Sequence, residues 1–311
     1  MEKKQMLEKN KIYQGNCLEV MKKIDDKSID MILCDLPYGT TKCKWDEIIP
    51  LDKLWAIYNR IIKDNGAIVL FGSEPFSSYL RVSNLKAYKY DLYWQKEKPT
   101  NFFQLKKRFG KTTENICVFY YKQPTYNPQM VKYCGKPVVN SPKGKHNSIL
   151  TGVNKEVFAY QDNGYRYPCD VLKFHRVQLG KTLHETQKPV DLLEYLINTF
   201  TNENELVLDN CIGSGSTAIA CINTNRNYIG IEFQQKYVDI ANQRINELKQ
   251  VWNLLYLFFR RESWKVNKPT EMNYVLEKFE ILDENLDSDF ALCKIYICSD
   301  GKNLHVIEIS L

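Results

Sequence analysis

No run of apolar residues in the 311-residue sequence approaches the roughly 20 needed to span a bilayer. Nothing apolar follows the charged start Met1-Glu-Lys-Lys-Gln5, so a secretory leader is not expected either. The 10 cysteines are scattered without a C-x-x-C pair, and only Cys293 and Cys298 lie near each other. That usage suits neither a disulfide framework nor a zinc site, and a reducing cytoplasm fits it best. The four histidines, His146, His175, His184 and His305, have no ligand spacing, and no metal is expected. Internal repeats and low-complexity tracts are also missing, which excludes a solenoid or a fibrous chain. What remains is an ordinary globule with 44% hydrophobic and 26% charged residues, long enough for one large or two modest domains.

Acidic residues are scarce in one stretch. Residues 86–145 hold 13 Lys and Arg against 3 Asp and Glu, whereas residues 261–311 hold 6 against 10. The basic stretch is interleaved with aromatics, among them Trp94, Phe102, Phe103, Phe109 and Tyr126. Lys and Arg neutralise phosphates and aromatic faces stack on bases, so the pattern suits a nucleic acid. It equally suits a solvated lysine-rich surface over an aromatic core.

The periodicity alternates between strand and helix. Strands are expected at 12–15, 29–34, 67–71, 90–95 and 116–121, and helices at 17–24 and 51–63, the latter closed by Asn65-Gly66. Continuous apolar strands separated by helices indicate a mostly parallel sheet covered on both faces. Residues 122–180 are different, being rich in Pro, Gly, Asn, Lys and Tyr with little periodicity, the mark of an irregular functional insertion. Order returns with Pro189 opening a helix to Phe200, a strand at 206–209, a helix at 217–223, a strand at 228–232 and a helix from about 235 to 250. The remainder reads as an appendix with one hairpin, 291–298 and 304–309.

Asp209-Asn-Cys-Ile-Gly213-Ser-Gly215-Ser-Thr-Ala218 lies between a strand and a helix, and Glu232 ends the next strand 17 residues after Gly215. Glycines let a ligand approach the backbone, and a carboxylate after the second strand can accept both ribose hydroxyls. The pattern also satisfies the dinucleotide fingerprint, so it points to a nucleoside-containing cofactor without choosing one. Its late position implies that most parallel strands precede it, a circularly permuted doubly wound sheet rather than a simple nicotinamide domain.

Asp35-Leu36-Pro37-Tyr38-Gly39 follows the buried strand 29–34, at the carboxyl end where such sheets bind ligands. A rigid proline, a carboxylate and an aromatic ring are what holding a flat base with an amino group requires, although the same residues are common in strand-ending turns. The two motifs together, in this order, resemble the amino-methylating DNA methyltransferases of the β arrangement, in which the catalytic D-P-P-Y motif precedes the cofactor motif. The resemblance runs from about Ile12 to Lys249 and includes Phe119 through Tyr126-Asn-Pro-Gln129 and Thr186-Gln-Lys-Pro189.

The resemblance implies an α/β, circularly permuted, Rossmann-like fold, S-adenosylmethionine as cofactor, and N6-methyladenine or N4-methylcytosine in double-stranded DNA as product. Asp35 and the Leu36 carbonyl would accept the two amino hydrogens of a flipped base, Pro37 would hold the loop, and Tyr38 would stack. Two such acceptors favour a tetrahedral nitrogen whose lone pair is free to attack. Asp209, Gly213 and Gly215 would surround the methionine part of the cofactor and Glu232 its ribose. Lys188 with the Thr186-Gln187 backbone would close its other side, and Asn16 would lie near its adenine. Asn16, Asn210-Cys211 and Leu36 depart from the family's usual Asp, Pro-Phe and Pro. Residues 1–121 and 181–250 would then be the catalytic domain, 122–180 the target-recognition insertion, and 251–311 an appendix without an assigned role. Lys132, Lys136, Lys143, Lys145, Arg166, Lys173 and Arg176 become candidates for DNA contact, and the histidines are read as structural or DNA-facing. The Asp at the head of the catalytic loop favours adenine over cytosine. Cytosine N4 methylation and a catalytically weak DNA-binding regulator are the alternatives. A bacterial or phage-encoded cytoplasmic monomer or homodimer is implied, with a cognate restriction endonuclease as a candidate partner.

Overall fold

The computed structural model describes residues 7–40, 46–133, 145–147, 154–156, 164–177, 187–261, 276–281, 292–298 and 304–310, with backbone alone for 145–147, 154–156 and from 251 onward. In chain order the regular elements begin with β1 (Lys11–Gln14), α1 (Cys17–Val20), β2 (Ile29–Asp35), α2 (Leu51–Ile61), β3 (Ile62–Gly72), α3 (Phe76–Ser83), β4 (Tyr88–Gln95) and β5 (Thr113–Phe119). Four short strands follow, β6 (Val131–Lys132), β7 (Lys145–Asn147), β8 (Asn154–Glu156) and β9 (Tyr165–Arg166), then β10 (Val171–Lys173). The last part holds α4 (Val190–Phe200), β11 (Leu206–Asp209), α5 (Ser216–Asn223), β12 (Asn227–Glu232), α6 (Gln235–Arg261) and β13 to β15 (Leu276–Ile281, Leu292–Cys298, Leu304–Ser310).

Eight strands form one sheet in the order β1-β12-β11-β2-β3-β5-β4-β10. All its pairings are parallel except those of β5, which runs against β3 and β4. Alternate residues of each buried strand serve opposite faces. Ile32, Cys34, Ile68 and Leu70 pack beneath α2 and α3 with Leu54, Tyr58, Phe76 and Leu80. Met31, Leu33, Val69 and Phe71 pack beneath α4 and α5 with Leu192, Leu196, Ala218 and Cys221. Each large apolar side chain so buried contributes about 1.5–3 kcal/mol. The doubly wound, mostly parallel, permuted sheet expected from the sequence is the one observed.

The permutation positions the site. The first half of the chain enters the sheet beside the last half, with β2 and β11 as direct neighbours (Val207 opposite Met31, Leu208 opposite Ile32). Loops 175 positions apart in sequence, at Tyr38 and Gly213, therefore leave the same edge of the sheet.

Several boundaries differ from expectation. Helix α2 stops at Ile61 and passes directly into β3, so Asn65-Gly66 lies within a strand rather than in a helix-closing turn. The register shifts there, between Ile29 and Met31, and a Cβ on Gly66 would stand 2.8 Å from the Asp30 carbonyl oxygen. Glycine permits that close approach. Helix α6 continues to Arg261, eleven residues past the expected end, and a third strand, β13, joins the C-terminal hairpin. The turn between β14 and β15 lies outside the described residues.

The 122–180 segment contains the short pairs β6–β9 and β7–β8, but its ends belong to the main body. Strand β10 completes the large sheet beside β4. Asn127 is clamped to α4, its backbone N–H donating to the Thr199 carbonyl at 2.8 Å and its Nδ2 to Asn198 and Thr201 carbonyls. The irregular insertion is thus narrower than its composition suggests. Among the described residues no helix is long and apolar enough to cross a membrane, and no cluster of His, Cys, Asp and Glu is arranged to hold a metal ion.

Candidate active site

A cavity of about 770 Å³ lies over the carboxyl ends of β2, β11 and β12, lined by Asp35 to Tyr38 on one side and by Asp209 to Ser214 and Glu232 on the other. Its size suits a nucleoside-containing ligand together with part of a second molecule. The two motifs recognised in the sequence therefore face a common space.

At the cofactor end, β1 pairs in register with β12, placing Gln14 opposite Glu232 and bringing Gly15 and Asn16 to the rim. Each Glu232 carboxylate oxygen accepts one backbone N–H, Oε2 from Gly213 at 3.0 Å and Oε1 from Gln234 at 2.9 Å. Carboxylate oxygens have further lone pairs, so acceptor capacity remains for a pair of hydroxyls. Burial holds the Glu232 pKa above the ordinary glutamate value despite these bonds. The glycine turn is set by its backbone. Gly213 and Gly215 have φ of 51° and 84°, and a Cβ on Gly215 would meet the Ala241 side chain of α6 at 2.8 Å. Arg244 of α6 ties the turn down by donating to the Ser214 carbonyl at 2.5 Å.

Asp209 has a buried, largely internal task. Its Oδ2 accepts from Thr217 Oγ1 at 2.6 Å and its Oδ1 from the Cys211 backbone at 3.0 Å, while burial raises its pKa to about 6. The departures from the family pattern are absorbed locally. Tyr58 of α2 donates to Asn210 Oδ1 at 2.5 Å, locking a side chain that is 2% exposed. Cys211 packs against the first apolar cluster. Asn16 caps α1 by accepting from the Leu18 N–H at 2.9 Å, so its oxygen serves the helix.

The catalytic end holds two carboxylates, two ammoniums and a phenol. Tyr38 donates from its hydroxyl to Asp35 Oδ1 at 2.5 Å and also lies 3.0 Å from Glu114 Oε1. Lys188 Nζ is 2.5 Å from Asp35 Oδ2 and 2.9 Å from Glu114 Oε1. Lys96 Nζ is 2.6 Å from Glu114 Oε2. Opposite charges this close compensate burial that would otherwise be prohibitive. The pairing is unequal, because Glu114 has two ammoniums and Asp35 shares one. Burial acts against ionised Glu114, but Lys188 and Lys96 outweigh it and bring its pKa down to about 2. For Asp35 burial prevails over the pull of Lys188, and its pKa lies above the ordinary aspartate value. The two environments separate the carboxylates, Glu114 being the more firmly ionised and Asp35 the more readily protonated. The Tyr38 ring stacks on Phe76 at 5.2 Å, with Lys188 Nζ 5.9 Å from the ring centre.

Sequence reasoning placed Lys188 beside the cofactor; Lys188 lines the cavity, and its ammonium pairs with the Asp35 and Glu114 carboxylates. It missed Glu114 and Lys96 altogether. A lone Glu in the apolar strand Thr113–Phe119, 7% exposed, is a weak signal that the strand's inner end faces something charged. Thr186, Lys136 and Lys143 lie outside the described residues, and Lys145 is described by backbone alone, in β7. Gln187 and Arg176 line the cavity. Lys132 and Arg166 sit on the β6–β9 ribbon, Arg166 over the Tyr133 ring at 4.4 Å, and Lys173 is exposed at the end of β10. His146 and His305 are in β7 and β15, described by backbone alone, and His184 lies outside the described residues. His175 Nδ1 is exposed, 3.8 Å from Glu97.

These residues fit S-adenosylmethionine: a carboxylate with spare acceptors for a ribose, a glycine turn open to the backbone, and a cavity continuing to Asp35. When bound, that cofactor supplies a methyl group made electrophilic by its sulfonium. The comparisons with known proteins agree. The sequence model of the N6/N4 DNA methylase family matches residues 29–243. The type II methyltransferase M1.MboII of Moraxella bovis is 32% identical over 78% of this chain and 99% of its own length. The DNA adenine methyltransferase YhdJ of Escherichia coli (strain K12) is 27% identical, covering 76% of this chain and 82% of its own. The solved PvuII DNA methyltransferase, named cytosine-N4-specific, shares the fold with a TM-score of 0.53 at 16% identity, over 76% of this chain and 86% of that one. The joined motifs, the permuted sheet and these likenesses place the chain in the N6/N4 DNA methylase family, as an S-adenosylmethionine-dependent DNA methyltransferase.

Proposed function

We propose that this protein methylates the N6 amino group of adenine in a specific double-stranded DNA sequence, after the base leaves the helix. The observation that carries the reading is the Asp35 carboxylate, held at the cavity between Tyr38 and Lys188. An aromatic amine has its lone pair delocalised into the ring and is a poor nucleophile. Hydrogen bonds from that amine to Asp35 and to the Leu36 carbonyl favour a tetrahedral nitrogen and free the lone pair. The nitrogen becomes acidic only as the methyl arrives, and Asp35, with its raised pKa, is placed to receive the proton. Tyr38 stacks on the base, and Pro37 holds the loop in place. Glu232 holds the ribose, with Asn16, Gln187, Gly213 and Gly215 around the cofactor and Asp209 fixing the glycine turn.

Residues 1–121 and 181–250, together with the ends of 122–180 that join the main body, provide the catalytic body, the rest of 122–180 reads the target, and 251–311 has no role in this reading. Lys132, Arg166, Lys173 and Arg176 supply charge for phosphates or guanine edges. The setting is a bacterial or phage restriction-modification system in the cytoplasm, as a monomer or homodimer, with a nuclease of the same specificity as its possible counterpart.

The deciding measurement is mass spectrometry of nucleosides from DNA incubated with the protein and methyl-labelled cofactor. Label in N6-methyladenine is expected, and label in N4-methylcytosine would overturn the adenine assignment. Removing the ribose acceptor has its own signature. Glu232→Ala should weaken cofactor binding about 10- to 100-fold, the worth of about 1.5–3 kcal/mol for hydrogen bonds to a charged group. Binding by the unaltered protein should fall on acidification at a higher pH than an ordinary glutamate would set, because burial raises Glu232 and protonation removes its acceptors. Calorimetry across pH tests both, and an unchanged dissociation constant in the variant would remove Glu232 from the site.

A further inference from the structure

Between β4 and β5 the chain makes a loop whose tip exposes aromatic rings to solvent. Phe103 is 99% exposed and Phe109 97%, with Phe102 beside them at 71%. Scattered exposed apolar residues are ordinary, but three phenylalanines grouped on one tip are not accounted for by folding. Nor is the loop slack. The Asn101 side chain bridges its two arms, donating to the Phe109 carbonyl at 3.0 Å and accepting from the Lys111 N–H at 2.6 Å. The Thr100 N–H donates to the Lys111 carbonyl at 2.9 Å, and Phe102–Gln104 form a turn of 3-10 helix. The rings are held outward by a built frame.

Two further features say what they meet. Residues 98–113 contain Lys98, Lys106, Lys107, Arg108 and Lys111 and not one acidic residue, which suits a polyanion. The feet of the loop stand on the catalytic cluster, since Lys96 at one foot pairs with Glu114 at the other, and Thr100 lines the cavity. A polyanion that presents a base to Asp35 therefore passes the feet of this basic loop. Apolar side chains inserted between base steps are a recurring way to unstack a duplex, and removal of a base from the stack must be compensated by something that fills or props the gap.

We propose that the loop 98–112 is a wedge for duplex DNA, in which Phe103 and Phe109 enter the base stack beside the target and hold the helix open while Lys106, Lys107 and Arg108 grip the flanking phosphates. The inference rests on the reading above that the substrate is duplex DNA. None of these five side chains lines the cavity.

The test compares the unaltered protein with Phe103→Ala/Phe109→Ala in single-turnover transfer of labelled methyl groups to plasmid DNA. Both side chains are exposed, and cofactor affinity, measured by calorimetry, serves as the check on folding. The modified motif read from that plasmid then defines a synthetic duplex whose target base faces an abasic position and is already unpaired. The double variant should methylate intact duplex about tenfold more slowly or worse, while its rate on the pre-opened duplex stays within about twofold of the unaltered protein. Phe103→Trp should retain most of the rate on intact duplex, because a larger ring can still enter the stack. Equal losses on both substrates, or no loss on either, would overturn the wedge. So would a shift from dimer to monomer in the double variant, which would make the tip a contact between copies of the chain. Failure of the unaltered protein to label any DNA would instead remove the proposed function and the wedge with it, and that result needs no variant.

Discussion

Replacing Lys188 by methionine should cost more stability than any other single change at the site. The substitution keeps the length but deletes the ammonium that lies 2.5 Å from Asp35, 2.9 Å from Glu114 and 5.0 Å from the centre of the Phe71 ring. Two carboxylates would then share Tyr38 in a largely buried cluster, with Lys96 left to compensate Glu114 alone. Leaving a buried charge without its partner costs about 3–5 kcal/mol, readable as a lower midpoint in thermal or denaturant unfolding. The same change should move the pH profile. Without the cation the Asp35 pKa rises further, so the acidic limb of the activity profile shifts to higher pH. Stability should respond to acid as well. The depressed pKa of Glu114 contributes stability that is complete above the ordinary glutamate value of 4.5 and is lost as pH falls toward about 2. In Lys188→Met the Glu114 pKa is depressed less, so this acid-dependent loss should be smaller and complete at a higher pH. Unchanged stability and an unshifted profile would show that Lys188 is not the counter-ion the geometry makes it.

Asp35→Ala is expected to act on turnover instead. Lys188 keeps Glu114 as its partner, so the fold should survive, and the cofactor end of the cavity, built from Gly213, Gly215 and Glu232, is untouched. The variant loses both an acceptor for the amine and the group placed to receive its proton. Loss of a positioned acid or base costs about 10²–10⁴-fold in rate. Labelled methyl transfer should fall by that order while the dissociation constant for S-adenosylmethionine stays nearly unchanged. Asp35→Asn separates the two contributions, since an amide oxygen still accepts a hydrogen bond but cannot take the proton at neutral pH. Near-normal transfer by Asp35→Ala would remove Asp35 from the chemistry, and near-normal transfer by Asp35→Asn would remove its proton-accepting role alone.

The contrast between these residues shows what local sequence carries. Asp35 and Glu232 were legible because each ends an apolar strand with a recognisable turn after it. Glu114 was not, because it follows a threonine in a strand whose other residues look like core, and its two lysines come from positions 96 and 188. The direction of β5 was hidden for the same reason. A buried strand has the same apolar residues whether its neighbours run with it or against it, and only the pairing register reveals the difference. The narrower insertion has a similar cause, since β10 is three residues long and is ordered by its partner β4 rather than by its own composition.

The sequence by itself determined the class of sheet, the order of its two motifs and the residues that end the strands beneath them. Those depend on local periodicity and turn chemistry, which a chain carries with it wherever it folds. Tertiary structure alone decided that Lys188 and Lys96 divide unequally between two carboxylates, that Asn210 is held by Tyr58, and that the basic, aromatic loop has its feet on the Lys96–Glu114 pair at the cavity. Charges interact over a few ångströms of space without regard to separation along the chain, so their pairing exists only once the sheet has brought distant segments together.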